Sequence, residues 1–381
     1  MKHKLVLIAE TVMDGVGKHV VDLIDYLDKS FFEIYVIHGI HRTDYRFSEI
    51  KLKWAGKVTF IPVDTLCREI DPVNDLKAFR EIRGHLKAIG PDIVHCHSSK
   101  AGVLGRIAAK SLGIQRVFYT PHAYAMQGQS HWTPKRRFYW LIEKTLAHFA
   151  TRHTFNVSEG EKQFAVDLGV EKSDHFVVAY NALSGDVTHT NPEALKKELG
   201  IPEEAFVVGC VARLFYQKNP EDFFKIAKLL LEEDPNYRFI WVGTGEMMDA
   251  MKAWCREAGI YSAVYFVGHR KNVDAYLNLF DVFLSTSHYE GLPYTLVEAM
   301  RASCPIVASD VVGNNEVVIS GVNGFLYAAG KVQSGVNAIN RLKMEEGLKC
   351  QMSESGYNRF QEFFTIDQMI SKIEKFYKDS L

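Results

Sequence analysis

The chain has 381 residues, 47% hydrophobic and 24% charged, the composition of a globular protein long enough for two or three domains. Six cysteines stand singly (Cys67, Cys96, Cys210, Cys255, Cys304, Cys350), with no CxxC pair and no Cys/His cluster, which argues against a disulfide framework or a structural zinc site and fits a reducing cytosol. The net charge of −1 argues against a nucleic-acid partner and hides an asymmetry: residues 1–183 hold 25 Lys+Arg against 20 Asp+Glu, leaving 20 against 26 of the totals of 45 and 46 for the remainder.

The first apolar run, residues 4–9, is too short for a signal segment and reads as a buried strand. No run reaches the ~18 apolar residues of a membrane span, so a cytosolic protein, at most peripheral to the inner face of a membrane, is expected. Further strands are predicted at 34–38, 58–62, 93–97, 117–120, 153–157 and 176–179, with helical patterns at 16–27, 73–89, 101–112 and 135–150 between them. This alternation implies βαβ units and a parallel sheet covered on both faces.

Several loops of this half carry candidate chemistry. Met13-Asp14-Gly15-Val16-Gly17-Lys18-His19 joins the first strand to a helix. His95 and His97, two apart on a strand, are expected to face opposite ways and so to be poor joint metal ligands. Tyr119-Thr120-Pro121-His122 follows another strand end. Residues 132–140 place Lys135, Arg136 and Arg137 among aromatics at a helix start, either lying on an anionic membrane surface or forming a core-facing stripe with a solvated basic face.

A polar stretch, 181–202, reads as the linker, with a helical segment at 193–199, and the pattern then restarts. Strands are predicted at 207–211, 238–242, 264–267, 282–285 and 306–309, and helices begin near Pro220, Gly245, Asn272 and Pro293. An amphipathic segment, 366–377, closes the chain. Two Rossmann-like halves place ligands at the carboxyl ends of their strands. At such ends lie Arg213 and Lys218, two cations five positions apart that can converge on a diphosphate and neutralise a leaving group. Gly243, in Val-Gly-Thr-Gly, ends the next strand, a weak signal that turn chemistry explains equally well. The segment Ser287-His288-Tyr289-Glu290-Gly291-Leu292-Pro293-Tyr294-Thr295-Leu296-Val297-Glu298 runs from a strand end into a helix. Gly291 lets backbone approach a ligand, the free N–H groups after Pro293 suit a diphosphate, and Glu298 is placed to take the two hydroxyls of a ribose.

Glu290 and Glu298, eight positions apart, resemble the E-x7-E motif of glycosyltransferase family 4, and the order of parts along nearly the whole chain is similar to that family. The resemblance implies the GT-B fold: two Rossmann-like domains facing across a cleft, an acceptor domain at 1–183, a donor domain at 184–362, and a C-terminal helix at 363–381 packing back on the first domain. It implies that Glu290 contacts hydroxyls of the donor sugar and Glu298 the nucleotide ribose. Arg213 and Lys218 become diphosphate ligands, although Ala212 and Asn219 stand where the family often has Gly. Gly243 lines the nucleotide cleft, Gly268 and His269 lie beside the base, and Leu292, Pro293 and Tyr294 belong to the donor loop with Gly291. His122 lies against the donor sugar. Gly15 or Gly17 approaches donor and acceptor, the family's usual Gly-Gly pair being interrupted here by Val16.

The expected activity is that of a retaining hexosyl- or N-acetylhexosaminyltransferase in surface polysaccharide synthesis. Its donor is a nucleotide-diphosphate sugar, uridine preferred over guanosine, and its acceptor a glycan or polyprenol-linked glycan. No metal or other cofactor is expected, since the chain has no Asp-x-Asp. Two other classes fit the same scaffold: a nucleotide-sugar epimerase, which needs no acceptor, and a non-catalytic nucleotide-sugar-binding protein.

Overall fold

A computed structural model describes residues 2–127, 133–186 and 191–381. Trp132 of the aromatic–basic segment and residues 187–190 of the linker lie outside the described residues. The chain divides into two compact units, residues 1–181 with 366–381, and residues 182–365.

In unit 1 the elements are β1 (His3–Ala9), α1 (Asp14–Tyr26), β2 (Phe32–His38), α2 (Tyr45–Lys53), β3 (Val58–Pro62), α3 (Pro72–Ile89), β4 (Ile93–His97), α4 (Ser99–Ser111), β5 (Val117–Thr120), α5 (Pro134–Ala150), β6 (His153–Asn156), α6 (Glu159–Asp167) and β7 (Phe176–Val178). They form a seven-stranded sheet in the order β3-β2-β1-β4-β5-β6-β7, every pair parallel. Leu5 to Ala9 and all of β4 are buried, so both sheet faces are covered, as parallel strands require. Helix ends follow local chemistry. Asp71 accepts from Val73 N and Asn74 N ahead of Pro72 at the start of α3, and Gly90 ends that helix at a φ of 59°.

Unit 2 holds α7 (Pro192–Leu199), β8 (Phe206–Val211), α8 (Pro220–Glu233), β9 (Tyr237–Val242), α9 (Met248–Glu257), β10 (Val264–Gly268), α10 (Val273–Leu277), β11 (Val282–Ser285), α11 (Tyr294–Arg301), β12 (Ile306–Ser309), α12 (Asn314–Val317), β13 (Gly324–Tyr327), α13 (Val332–Met344) and α14 (Glu346–Phe363). Its sheet runs β10-β9-β8-β11-β12-β13, also parallel, over a core centred on Phe223, Phe239 and Trp241. The sixth strand, β13, is not among the predicted ones: four residues opening on Gly324 carry too little pattern to read. The helix expected near Gly245 begins at Met248, because Gly245 lies flat on Leu214, where a Cβ would sit 2.1 Å from the Leu214 carbonyl oxygen. Pro293 is the cap residue ahead of α11 rather than its first helical residue.

The last helix, α15 (Ile366–Asp379), packs in unit 1. Tyr377 is fully buried, and a hydrogen bond of 2.5 Å joins its hydroxyl to His95 Nδ1. Arg116 donates to the carbonyl oxygens of Ser380 (2.5 Å) and Leu381 (3.0 Å), tying the C-terminus beside β5.

Candidate active site

In both sheets the strand order reverses direction once, between β1 and β4 and between β8 and β11. Loops leaving neighbouring strands there diverge to opposite faces and open a crevice at the carboxyl ends, where doubly wound sheets take their ligands. In unit 2, Arg213, Lys218 and Glu290 lie on the loops leaving β8 and β11 at this reversal. Gly243, Gly268 and, in unit 1, His122 instead lie at the carboxyl ends of β9, β10 and β5, and Gly15 and Gly17 open α1 after β1.

In unit 2, β8 delivers Arg213 and Lys218, and β11 delivers Glu290. Lys218 Nζ donates to Glu290 Oε1 at 2.5 Å across 72 residues of sequence. The same oxygen accepts from Ser287 Oγ at 2.6 Å, and Oε2 from Gln217 Nε2 at 3.4 Å. Backbone contacts set this arrangement. His288 N donates to Gln217 O at 2.8 Å, Gln217 Nε2 to Tyr289 O at 2.9 Å, and Thr286 Oγ1 lies within hydrogen-bond distance of Lys218 O and Asn219 O. Asn219, at a φ of 48°, caps α8 by accepting from Asp222 N, so the Lys218 loop is fixed at both ends. A small pocket between the loops is lined by Ala212, Lys218, Ser285, Ser287 and Thr295.

The structure brings Lys218 and Glu290 together and places the other unit 2 candidates around them. Arg213 is exposed, its guanidinium 4.5 Å from the Phe215 ring centroid. Glu298 is half-buried within α11; Leu292, Pro293 and Tyr294 are buried at its start. Gly291 passes under Gly313, whose φ is 88° and whose Cβ would meet the Gly291 carbonyl oxygen at 2.4 Å. Sequence reasoning missed Gly313; the run Val311-Val312-Gly313-Asn314-Asn315 was its only signal. Gly243, at a φ of 136°, leaves 2.1 Å between a would-be Cβ and Ala212 O, and its N–H donates to Gly268 O at 2.9 Å. This close approach of backbone to backbone is one that glycine alone permits. Gly268 (φ 73°) ends β10, and His269 beside it is exposed.

In unit 1, Gly15 and Gly17 separate. Gly17 is buried, and a Cβ there would lie 2.3 Å from the Val12 carbonyl carbon, so it seats α1 against the strand end. Gly15 is exposed in the first turn, beside Asp14 at a φ of 55°. His122, half-buried, and Ala123 hold left-handed backbone angles of 55° and 85°, which non-glycine residues adopt only when their surroundings impose them. Here the buried Glu161 carboxylate accepts from Ala123 N at 2.6 Å and from Val157 N at 2.9 Å.

The imposed bend turns His122 Nε2 to His97 Nδ1 at 3.2 Å. His19, from α1, packs edge-on to His122 and tilted to His97, with ring centroids 4.8 Å and 5.6 Å away. Burial pushes His19 down to about 4, and burial together with the neighbouring imidazoles holds His95, His97 and His122 well below the ordinary histidine value. All four rings are therefore neutral near pH 7.

The expectation that His95 and His97 point apart is incorrect. Strand side chains alternate, so residues two apart share a face, and the two ring centroids lie 4.1 Å from each other.

Along α5, Arg136, Glu143, Leu146 and Ala147 face inward, while Phe138 (58%), Leu141 (56%) and Phe149 (63%) are exposed beside exposed Lys135, Arg137 and Lys144. The aromatic stripe is thus divided: Trp140 is partly covered, donating to Leu168 O at 2.8 Å, and Phe138 is not. No helix among the described residues is long and apolar enough to cross a membrane.

Comparison with known proteins agrees with this arrangement of parts. Residues 13–184 match the family model described as Glycosyltransferase Family 4, and residues 191–359 that of Glycosyl transferases group 1. The chain is 32% identical over 329 residues to the UDP-Gal:alpha-D-GlcNAc-diphosphoundecaprenol alpha-1,3-galactosyltransferase of Escherichia coli, covering 84% of this chain and 83% of that one. It is 22% identical to the capsular polysaccharide biosynthesis glycosyltransferase CapM of Staphylococcus aureus, covering 81% and 83%. Among solved structures, Anabaena Alr3699/HepE in complex with UDP and glucose superposes with a TM-score of 0.83 at 19% identity over 99% of this chain and 100% of that one. That likeness speaks to fold, and the fold is GT-B. Family membership removes the epimerase and non-catalytic readings: the chain belongs to glycosyltransferase family 4 and is a glycosyltransferase.

Proposed function

We propose that this enzyme moves a sugar, with retention of configuration, from a UDP-sugar to a hydroxyl of a glycan or polyprenol-linked glycan in surface polysaccharide synthesis. One observation carries the reading. Lys218 and Glu290, remote in sequence, meet at the switch point of the unit 2 sheet, so a cation and a carboxylate stand side by side at the kind of crevice where doubly wound sheets take ligands. Support for uridine and for a lipid-linked acceptor comes from the UDP-Gal donor and diphosphoundecaprenol-linked acceptor in the name of the Escherichia coli relative and from the UDP bound in the Anabaena structure.

In this reading Arg213, Lys218 and the start of α11 neutralise the diphosphate, with no metal required. Glu298 takes the ribose hydroxyls, Glu290 and His122 take sugar hydroxyls, and Gly243, Gly268 and His269 lie along the nucleotide. Gly291, Leu292, Pro293 and Tyr294 form the donor loop. Gly15, exposed where Gly17 is sealed, is the glycine that approaches donor. The bond from the anomeric carbon to the diphosphate oxygen breaks, a bond to the acceptor oxygen forms on the same face, and the acceptor proton passes to the departing phosphate. The exposed Phe138, Leu141 and Phe149 with Lys135 and Arg137 form a peripheral contact with an anionic membrane, suited to a polyprenol-linked acceptor.

A thermal-shift panel of UDP, GDP and ADP without added metal tests the donor site. A shift with UDP alone, followed by NMR of an α-configured product from an α-configured donor, is expected. Folded protein that responds to no nucleotide, or an inverted product, overturns the reading.

A further inference from the structure

We propose that His19, His97 and His122 form a site for a zinc-class divalent metal ion in unit 1, and that the bound metal inhibits transfer. Three separate elements contribute: α1, the end of β4 and the bend after β5. One ring nitrogen from each lies within 4.8 Å of the others. His19 Nδ1 faces the amide oxygen of Asn181 at 3.2 Å. An amide oxygen only accepts, so Nδ1 carries the proton and the lone pair of the neutral ring sits on Nε2. That nitrogen is buried and has no protein partner, and the same holds for His97 Nε2. His97 Nδ1 and His122 Nε2 lie 3.2 Å apart with one ring proton between them. A cation taking its place can be ligated by both rings once that proton moves to the other nitrogen of the ring that carried it, which leaves both imidazoles neutral.

His95 stands behind this group without joining it, because its two nitrogens are engaged by the Tyr377 hydroxyl at 2.5 Å and Thr120 Oγ1 at 2.8 Å. The set is therefore three imidazoles with one open position, a donor set that suits zinc, cobalt, nickel or copper over magnesium or calcium. Zinc–nitrogen bonds of about 2.1 Å place tetrahedral ligands roughly 3.4 Å apart. The longest edge, 4.8 Å, must then contract by about 1.4 Å, within the reach of side-chain rotation. Asn181 would orient a ligating His19 by accepting its Nδ1–H, the outer role more often taken by a carboxylate or a backbone carbonyl. The left-handed bend at His122 and Ala123, held by Glu161, presents the third ring. Inhibition rests on the proposed reading in which His122 takes a sugar hydroxyl, since a His122 engaged by metal is unavailable to a sugar.

The test uses untagged full-length protein stripped with EDTA and titrated with zinc chloride alone. Metal retained after gel filtration is counted by mass spectrometry, and Co2+ is used as a visible-absorption probe of coordination. One zinc per chain and tetrahedral Co2+ bands are expected, with UDP release from the wild type falling as zinc fills the site. His97→Ala should raise the zinc dissociation constant by more than about 100-fold and Asn181→Leu by about 10-fold. His148→Ala, altering an exposed histidine on α5, should leave it unchanged. Zinc should also protect His122, the half-buried member of the set, from diethyl pyrocarbonate in the wild type, a readout independent of how the variants fold. Absence of stoichiometric zinc, octahedral cobalt, wild-type affinity in folded His97→Ala, unprotected His122, or full turnover by the zinc-loaded enzyme overturns the proposal.

Discussion

Replacing Lys218 with Ala removes the cation assigned to the leaving diphosphate and the partner of Glu290. The two consequences separate in magnitude. The Lys218 and Glu290 side chains are 19% and 7% exposed, so the pair is largely shielded from solvent. Losing a partner from a wholly buried pair costs about 3–5 kcal/mol. Glu290 keeps Ser287 Oγ at 2.6 Å and Gln217 Nε2 at 3.4 Å, so the loss of stability here should be lower, about 1–3 kcal/mol. The effect on transition-state charge is greater. Removing one pre-positioned donor from a developing anion lowers kcat by about 10²–10³-fold, or roughly 2.7–4 kcal/mol. UDP release measured under saturating donor and acceptor reports kcat, and a melting curve on the same sample reports folding. Lys218→Ala should therefore melt as a folded protein and turn over at least about 100-fold more slowly. A folded Lys218→Ala with kcat near wild type refutes the phosphate assignment, and with it the reasoning from the Lys218–Glu290 geometry.

Other substitutions test the frame. Gly243→Ala adds a methyl 2.1 Å from Ala212 O at a φ of 136°, and calorimetry should show unit 2 destabilised by about 3 kcal/mol or more. Arg106 is fully buried, donates to Glu143 at 2.8 Å and lies 3.8 Å over the Tyr119 ring, so Arg106→Ala, which strands the Glu143 carboxylate, should cost about 3–5 kcal/mol in denaturant titrations of unit 1, while Glu143→Gln/Arg106→Met recovers much of it. Acid should weaken unit 1. His175 is pushed down to about 4 by burial, with Glu171 pulling the other way and His153 adding to the depression. Its contribution is complete above the unfolded value near 6.5 and is lost as pH falls toward 4, up to about 3 kcal/mol, a slope that His175→Gln should flatten in melting curves. Tyr377→Phe removes the hydroxyl bound to His95 and should cost about 1–2 kcal/mol, seen as faster hydrogen exchange in β4 and α15.

Much of the architecture was legible in local pattern. Alternating buried strands and amphipathic helices reveal two parallel sheets because the 2-residue and 3.6-residue periods are properties of a short segment. The same locality makes the strand-end loops visible, and so Arg213, Lys218, Glu290 and Glu298 could be named from sequence and resemblance. It fails where an element is too short to show a period, as in β13, or where packing moves a boundary, as Leu214 does to the start of α9. Which loops meet is a different matter, since it depends on strand order rather than on any segment. Sheet order brings Lys218 to Glu290 across 72 residues and His122 to His97 across 25, and the return of α15 brings Tyr377 to His95 across 282. Gly15 and Gly17 look alike in the chain, and only the Val12 carbonyl packed on one of them tells the sealed glycine from the open one. Composition and periodicity determined that this protein would be two wound sheets with candidate loops at their strand ends; tertiary structure decided the partners, because contact energy belongs to pairs of residues that the chain sequence holds apart.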